Sequence, residues 1–308
     1  MEGDFGVLAP PVALHAAAPE MLAAAWLVLR ETLIVPGLAS RAAKEAVATA
    51  VSASNACPYC AMIHNSALTV LGPRRRDQLA TDDPELDVVV EWVMSVDNPG
   101  KPVNPQIPAE QFADLAGVAV LLHYLNRMVN VFLRDIPLPP GVPEFTLPPV
   151  LWILGRQMAA AARQAHLPGA ALGLLPAADL PADLSWAAGN DTVAQAYARA
   201  CAAIDDAGAR ALPANIRALV SDNLARWHGG PRGISRVWVE ELIAPLPAGQ
   251  RPLARLALLV AFASYQVDPA VIERCRQVGA SDRTLVELSS WAAMAAARRV
   301  GNLLPMRG

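Results

Sequence analysis

A chain of 308 residues is long enough for one large domain or two ordinary ones, and 54% of it is hydrophobic while only 5% is aromatic. An interior of Ala, Leu and Val with so few aromatics favours closely packed helices. The net charge of −3 and pI near 6.0 leave no electrostatic footprint for nucleic acid, and the basic run Arg74-Arg75-Arg76 is answered by Asp77, Asp82, Asp83 and Glu85, as in a solvated loop.

The apolar runs at 21–29 and 256–264 fall short of the ~20 residues a membrane span requires, so no membrane partner is expected. The acidic start, Met1-Glu2-Gly3-Asp4, lacks the basic stretch that opens a signal peptide. Four cysteines are too few for a disulfide scaffold. The expectation is a cytoplasmic protein in which a CxxC pair is catalytic or metal-binding.

In chain order, the spacing predicts a first helix within 12–34, with Pro19 to Leu33 as its body, stopped by Pro36-Gly37. Ser40 is placed to N-cap a second over 41–53, and Ser54-Asn55 breaks the run before a third over 57–71. Helices follow over 85–96 and 110–133, separated by a Pro/Asn/Gly stretch. Residues 134–149 hold six prolines and read as a linker. Seven more helices are predicted, over 150–164, 186–207, 213–227, 234–243, 252–265, 269–278 and 281–304. No stretch alternates with period two, so the fold class is all-α.

The chemistry concentrates in Cys57-Pro58-Tyr59-Cys60-Ala61-Met62-Ile63-His64. On a helix starting near Ala56, positions 57, 60 and 64 share one face. Glu45 lies upstream on the preceding helix. A helix N-terminus stabilises a thiolate and lowers a cysteine pKa from ~8.5 into the ~3.5–7.5 range. Thiol pair, imidazole and carboxylate together suit a redox centre with its own proton relay. Rival readings exist. Zinc would find three ligands here and needs a fourth. Covalent haem needs His where Ala61 stands. A glutaredoxin-like site needs a strand before the motif, and an inert buried pair leaves Glu45 and His64 unexplained. His123, Arg127 and Asn130 form a polar seam on an apolar helix, serving helix ends in the core or lining a pocket beside the CxxC helix. His15 and His228 carry no assigned chemistry, and Cys201 and Cys275 read as small core residues.

The two halves also look related. A shift of 173 residues carries Ser40 onto Pro213 and Pro58 onto Pro231, and a shift of 172 carries Arg127 onto Arg299. In that register Glu45, Cys57, Cys60 and His64 fall on Ala218, Gly230, Gly233 and Val237, so the second copy has lost every redox residue.

The pattern Lys44-Glu45, Cys57-x-x-Cys60 and His64, with Ser52, Asn55 and Tyr59 around it, resembles the active-site signature of the alkylhydroperoxidase D (AhpD)-like / carboxymuconolactone decarboxylase family. The segment from His123 to Asn130 is similar to the closing helix of such domains. The resemblance implies an AhpD-like helical domain over 1–135, a linker over 136–149 and a degenerate second copy over 150–308. It implies a thiol peroxidase that needs no cofactor and no metal. Cys60 would attack a hydroperoxide, Cys57 would donate a proton and resolve the sulfenate, and His64 and Glu45 would relay the proton. His123, Arg127, Asn130 and Tyr59 would contact substrate. The expected partners are a hydroperoxide, a dithiol reductant such as a lipoyl-bearing protein, and further copies of the chain in a homo-oligomer. A cofactor-free decarboxylase or lactone enzyme, and a non-catalytic assembly protein, are the alternatives.

Overall fold

The computed structural model describes residues 2–5, 9–71, 84–97, 107–133 and 147–306. Among them there is no strand, and the all-α expectation holds. The first half carries α1 (Glu2–Phe5), α2 (Pro10–Ala13), α3 (Pro19–Leu29), α4 (Arg41–Ser54), α5 (Pro58–Leu71), α6 (Pro84–Met94) and α7 (Phe112–Phe132). The second carries α8 (Leu147–Ala161), α9 (Asp191–Ala211), α10 (Ala214–Ala225) and α11 (Val237–Ile243). It closes with α12 (Arg251–Ala263), α13 (Pro269–Gln277) and α14 (Asp282–Gly301).

Local chemistry sets the starts. Ser40 Oγ accepts from Ala43 N at 3.1 Å, Asn190 Oδ1 from Thr192 N and Val193 N, Asp268 Oδ1 from Val271 N and Ser281 Oγ from Thr284 N. Each satisfies first-turn N–H groups that the helix itself leaves open. Prolines open α2, α3, α12 and α13, where a missing N–H costs nothing.

The boundaries differ from the sequence reading in three places. The helix predicted over 186–207 is a 3₁₀ stretch, Ala182–Gly189, followed by α9, because Asn190 stops one and caps the other. The helix over 19–33 leaves α geometry at Arg30 and finishes as a π-turn through Ile34. The expected linker ends early, since Leu147, Pro148 and Pro149 already form the first turn of α8. The Arg74–Arg76 run, residues 98–106 and residues 134–146 lie outside the described residues.

At the centre α7 packs along α14, with α3 against α9 and α4 against α7. From Ala113 to Val131 every residue of α7 is buried. The segment Ala109–Phe132 is long and apolar enough to cross a membrane, but 89% of its apolar window is buried within the fold. A single apolar cluster runs from Val12 through α3, α4, α7, α9 and α12 to Leu304, so both halves share one core. Helix α5 lies between α4 and α8. The approach of α8 is close: a Cβ on Gly155 would come within 2.6 Å of the Ser66 carbonyl oxygen.

Candidate active site

The motif sits at the corner between α4 and α5, and backbone geometry fixes that corner. Ala56 adopts a left-handed conformation, with φ of 50°. Its N–H donates to Ala53 O at 3.1 Å, and the N–H of Cys57 reaches back to Ser52 O at 3.0 Å. This is the double closure that ends helices with a left-handed residue, usually glycine, one past the cap. The carbonyl of Cys57 then accepts from Ala61 N at 3.0 Å and starts α5. Cys57 therefore caps the helix, Pro58 opens it, and Cys60 falls in its first turn.

The tight corner folds α5 back along α4 and brings Glu45 against His64. Glu45 is fully buried and both its oxygens are occupied. Oε2 accepts from His64 Nδ1 at 2.7 Å, and Oε1 accepts from Arg41 Nε at 2.8 Å and Nη2 at 2.7 Å. Burial pushes the Glu45 carboxyl up, but the Arg41 charge and the imidazole outweigh it and hold the group below its ordinary value. An ionised carboxylate only accepts, so His64 carries its proton on Nδ1 and presents the lone pair of Nε2. Cys57 Sγ donates to Cys60 Sγ at 2.7 Å, both thiols being free. Tyr59 and Val129 pack on the pair, with Leu14, Ile63 and Leu133 at the margin.

One expectation is corrected. The helix start does not lower the Cys60 pKa in this reduced state. Burial pushes it well above its ordinary value, reinforced by the hydrogen bond and charge of Cys57, and only a backbone hydrogen bond opposes the rise. Until a base takes its proton, Cys60 rests as a thiol.

Searches of family models and of solved structures return no match. A curated relative, Alkyl hydroperoxide reductase Rv2159c of Mycobacterium tuberculosis, is 35% identical over 305 residues, which cover 97% of this chain and 87% of the relative. The chain belongs to the AhpD-like family. It is an AhpD-like enzyme.

Within this AhpD-like fold, Arg41 is the residue that sequence reasoning passed over. Its spacing to Glu45, i to i+4 on a helix, was the available signal. The four residues expected to contact substrate separate into three environments. Tyr59 packs on the thiols, and burial together with the two cysteines raises its pKa. Asn130 Nδ2 donates to Asn55 O at 2.9 Å and Ser264 Oγ at 3.0 Å, tying the corner to the end of α12. His123 and Arg127 line a small cavity together with Asn55, and neither thiol is part of that lining. His15, left without a role by the sequence, is fully buried, with Nε2 against Tyr124 OH at 2.8 Å and Nδ1 against Val12 O at 3.0 Å. Cys201 and Cys275 are buried core residues, as expected. Among the described residues no three His, Cys, Asp or Glu side chains converge as a metal site requires.

Proposed function

We propose that the chain is a thiol-dependent peroxidase in which Cys60 reduces hydroperoxides. The observation that carries this reading is the 2.7 Å contact between Glu45 and His64 on the same corner as two free thiols 2.7 Å apart. A buried, high-pKa thiol reacts only when a base removes its proton, and a carboxylate-oriented imidazole is such a base. In this reading His64 Nε2 takes the proton from Cys60. The thiolate attacks the peroxide, an S–O bond forms as the O–O bond breaks, and Cys57 supplies the proton with which the alcohol leaves. Cys57 then attacks the sulfenic sulfur, water departs and the Cys57–Cys60 disulfide forms. A dithiol reductant, for which a lipoyl-bearing protein has suitable chemistry, returns the pair to thiols by exchange.

In this scheme the second half is a copy of the first that has lost its thiols. The reading is supported by the order of the helices, since a shift of 172–173 residues carries α3 onto α9, α4 onto α10 and α7 onto α14.

The test is peroxide consumption with a dihydrolipoamide-type reductant, comparing wild type with Cys60→Ser. The variant is expected to fall to the uncatalysed background, and peroxide-treated wild type to carry a Cys57–Cys60 disulfide by mass spectrometry. Wild type that shows neither oxidation at Cys60 nor that disulfide sinks the proposal.

A further inference from the structure

A cavity of about 40 Å³ opens beside the corner, at the junction of the two halves. Asn55, His123 and Arg127 line it from the first half, and Pro231, Ser264 and Tyr265 from the second. At roughly 10–15 Å³ per water, it holds about three water-sized atoms, the size of a carboxylate group. Its lining includes no Asp or Glu.

The hydrogen bonds around it fix what it offers. His123 Nδ1 lies 3.0 Å from Asn55 Nδ2 and 3.1 Å from Arg127 Nη1. An arginine nitrogen can only donate, so Nδ1 is the acceptor and the ring proton sits on Nε2. The Arg127 guanidinium, itself 5% exposed, is held in place by donating to Ala261 O at 3.2 Å and His123 O at 2.7 Å. Ser264 Oγ already accepts from Asn130 Nδ2, which leaves its own proton to donate. A guanidinium charge, an imidazole with its proton on Nε2 and a hydroxyl therefore line the space. Burial and the Arg127 charge keep His123 far below its ordinary pKa, so it stays a neutral donor. A ligand here must accept hydrogen bonds and is favoured if it is negative.

The rim beside Tyr265 carries exposed apolar side chains, while the Arg232 guanidinium stacks on Phe262 in the lining. Tyr265 OH donates to Gly233 O at 2.6 Å, and the next residue in the chain, Ile234, is 96% exposed, with Val237 exposed beyond it. We propose that the cavity is a carboxylate-binding subsite, taking the acid group of an amphipathic organic acid whose apolar part lies over Tyr265, Ile234 and Val237. Asn55 caps α4 two residues before Cys57, so the subsite and the thiol pair share one turn.

The test is a ligand-observed NMR titration of the full-length reduced chain with hexanoate, acetate, hexanamide and inorganic phosphate. It requires neither peroxide nor turnover, so its outcome is separate from that of the peroxidase reading. Hexanoate is expected to bind saturably. Hexanamide, which keeps the shape and loses the charge, should bind about tenfold more weakly or worse, as loss of a charge-assisted contact implies. Acetate should also bind about tenfold more weakly, for want of apolar contact. Arg127→Met should abolish hexanoate binding in protein shown to be folded by circular dichroism. The hexanamide comparison decides the matter on wild type if that variant does not fold. Equal binding of acid and amide, equal binding of acetate and hexanoate, or displacement of hexanoate by an equal concentration of phosphate would each overturn the assignment.

Discussion

Two buried histidines flank the same corner and are set to opposite tasks by their neighbours. His64 faces a carboxylate, which accepts the Nδ1–H hydrogen bond and leaves Nε2 as a base. His123 faces a guanidinium and an amide, which both address Nδ1 and leave Nε2–H as a donor. The side chain is the same and the burial is similar. The sign of the partner decides whether the ring removes a proton or offers one. A third, His15, has only neutral partners, a tyrosine hydroxyl and a carbonyl, and burial pushes it down to about 4.

Exchange of the two roles would break this comparison, and the largest effect is expected there. His64→Ala should lower peroxide turnover by roughly 10²–10⁴-fold, the usual contribution of a positioned base. His123→Ala should change it by only a few fold. Matched losses in the two variants, measured as kcat/KM, would refute the assignment of the base to His64 alone.

The neutral histidine sharpens the comparison through stability. Unfolded, His15 titrates near 6.5, and folded it resists protonation down to about 4. The unfolded chain therefore binds more protons between those values. Stability is complete above pH 6.5 and declines by about 3 kcal/mol as pH falls to 4, with His123 adding in the same direction. Urea midpoints across this range should show that slope, and His15→Gln should flatten it.

The carboxylate side is probed through Arg41. Without the guanidinium, burial raises the Glu45 carboxyl, which then takes up a proton at higher pH. The acid limb of the pH–rate profile should then move to higher pH in Arg41→Met, and most of the way back in Arg41→Lys. An unmoved acid limb in the Met variant would mean that Arg41 serves packing alone. The smallest expected effect belongs to Ala56→Gly. Relieving a left-handed alanine should raise stability by up to about 1 kcal/mol, read as a higher midpoint in thermal unfolding with turnover unchanged.

Much of this was legible in the residues. Helical periodicity, Ser40 as a cap and the Glu45, Cys57, Cys60, His64 spacing are local signals, and the helices fall close to where those signals put them. What escaped the sequence depends on folding. The rise in the Cys60 pKa comes from burial under Val129 and Leu133, which a helix-start argument does not see. The lining of the cavity joins Asn55, Arg127 and Ser264, residues that only the packing of α4, α7 and α12 brings together. Ala56 gave no hint of its left-handed backbone because glycine usually marks that position. His15 carries no assigned chemistry in the sequence because nothing nearby in the chain announces Tyr124.

The single core has an evolutionary corollary. Helices α8, α9 and α14 supply the apolar surface on which α5, α3 and α7 close. Side chains on the exposed faces of the second half can change without disturbing this cover, but a deletion of that half would strip the cover from the first. The second half is thereby an inseparable partner of the first, and a gene shortened to the first half alone would encode a chain with its apolar faces uncovered.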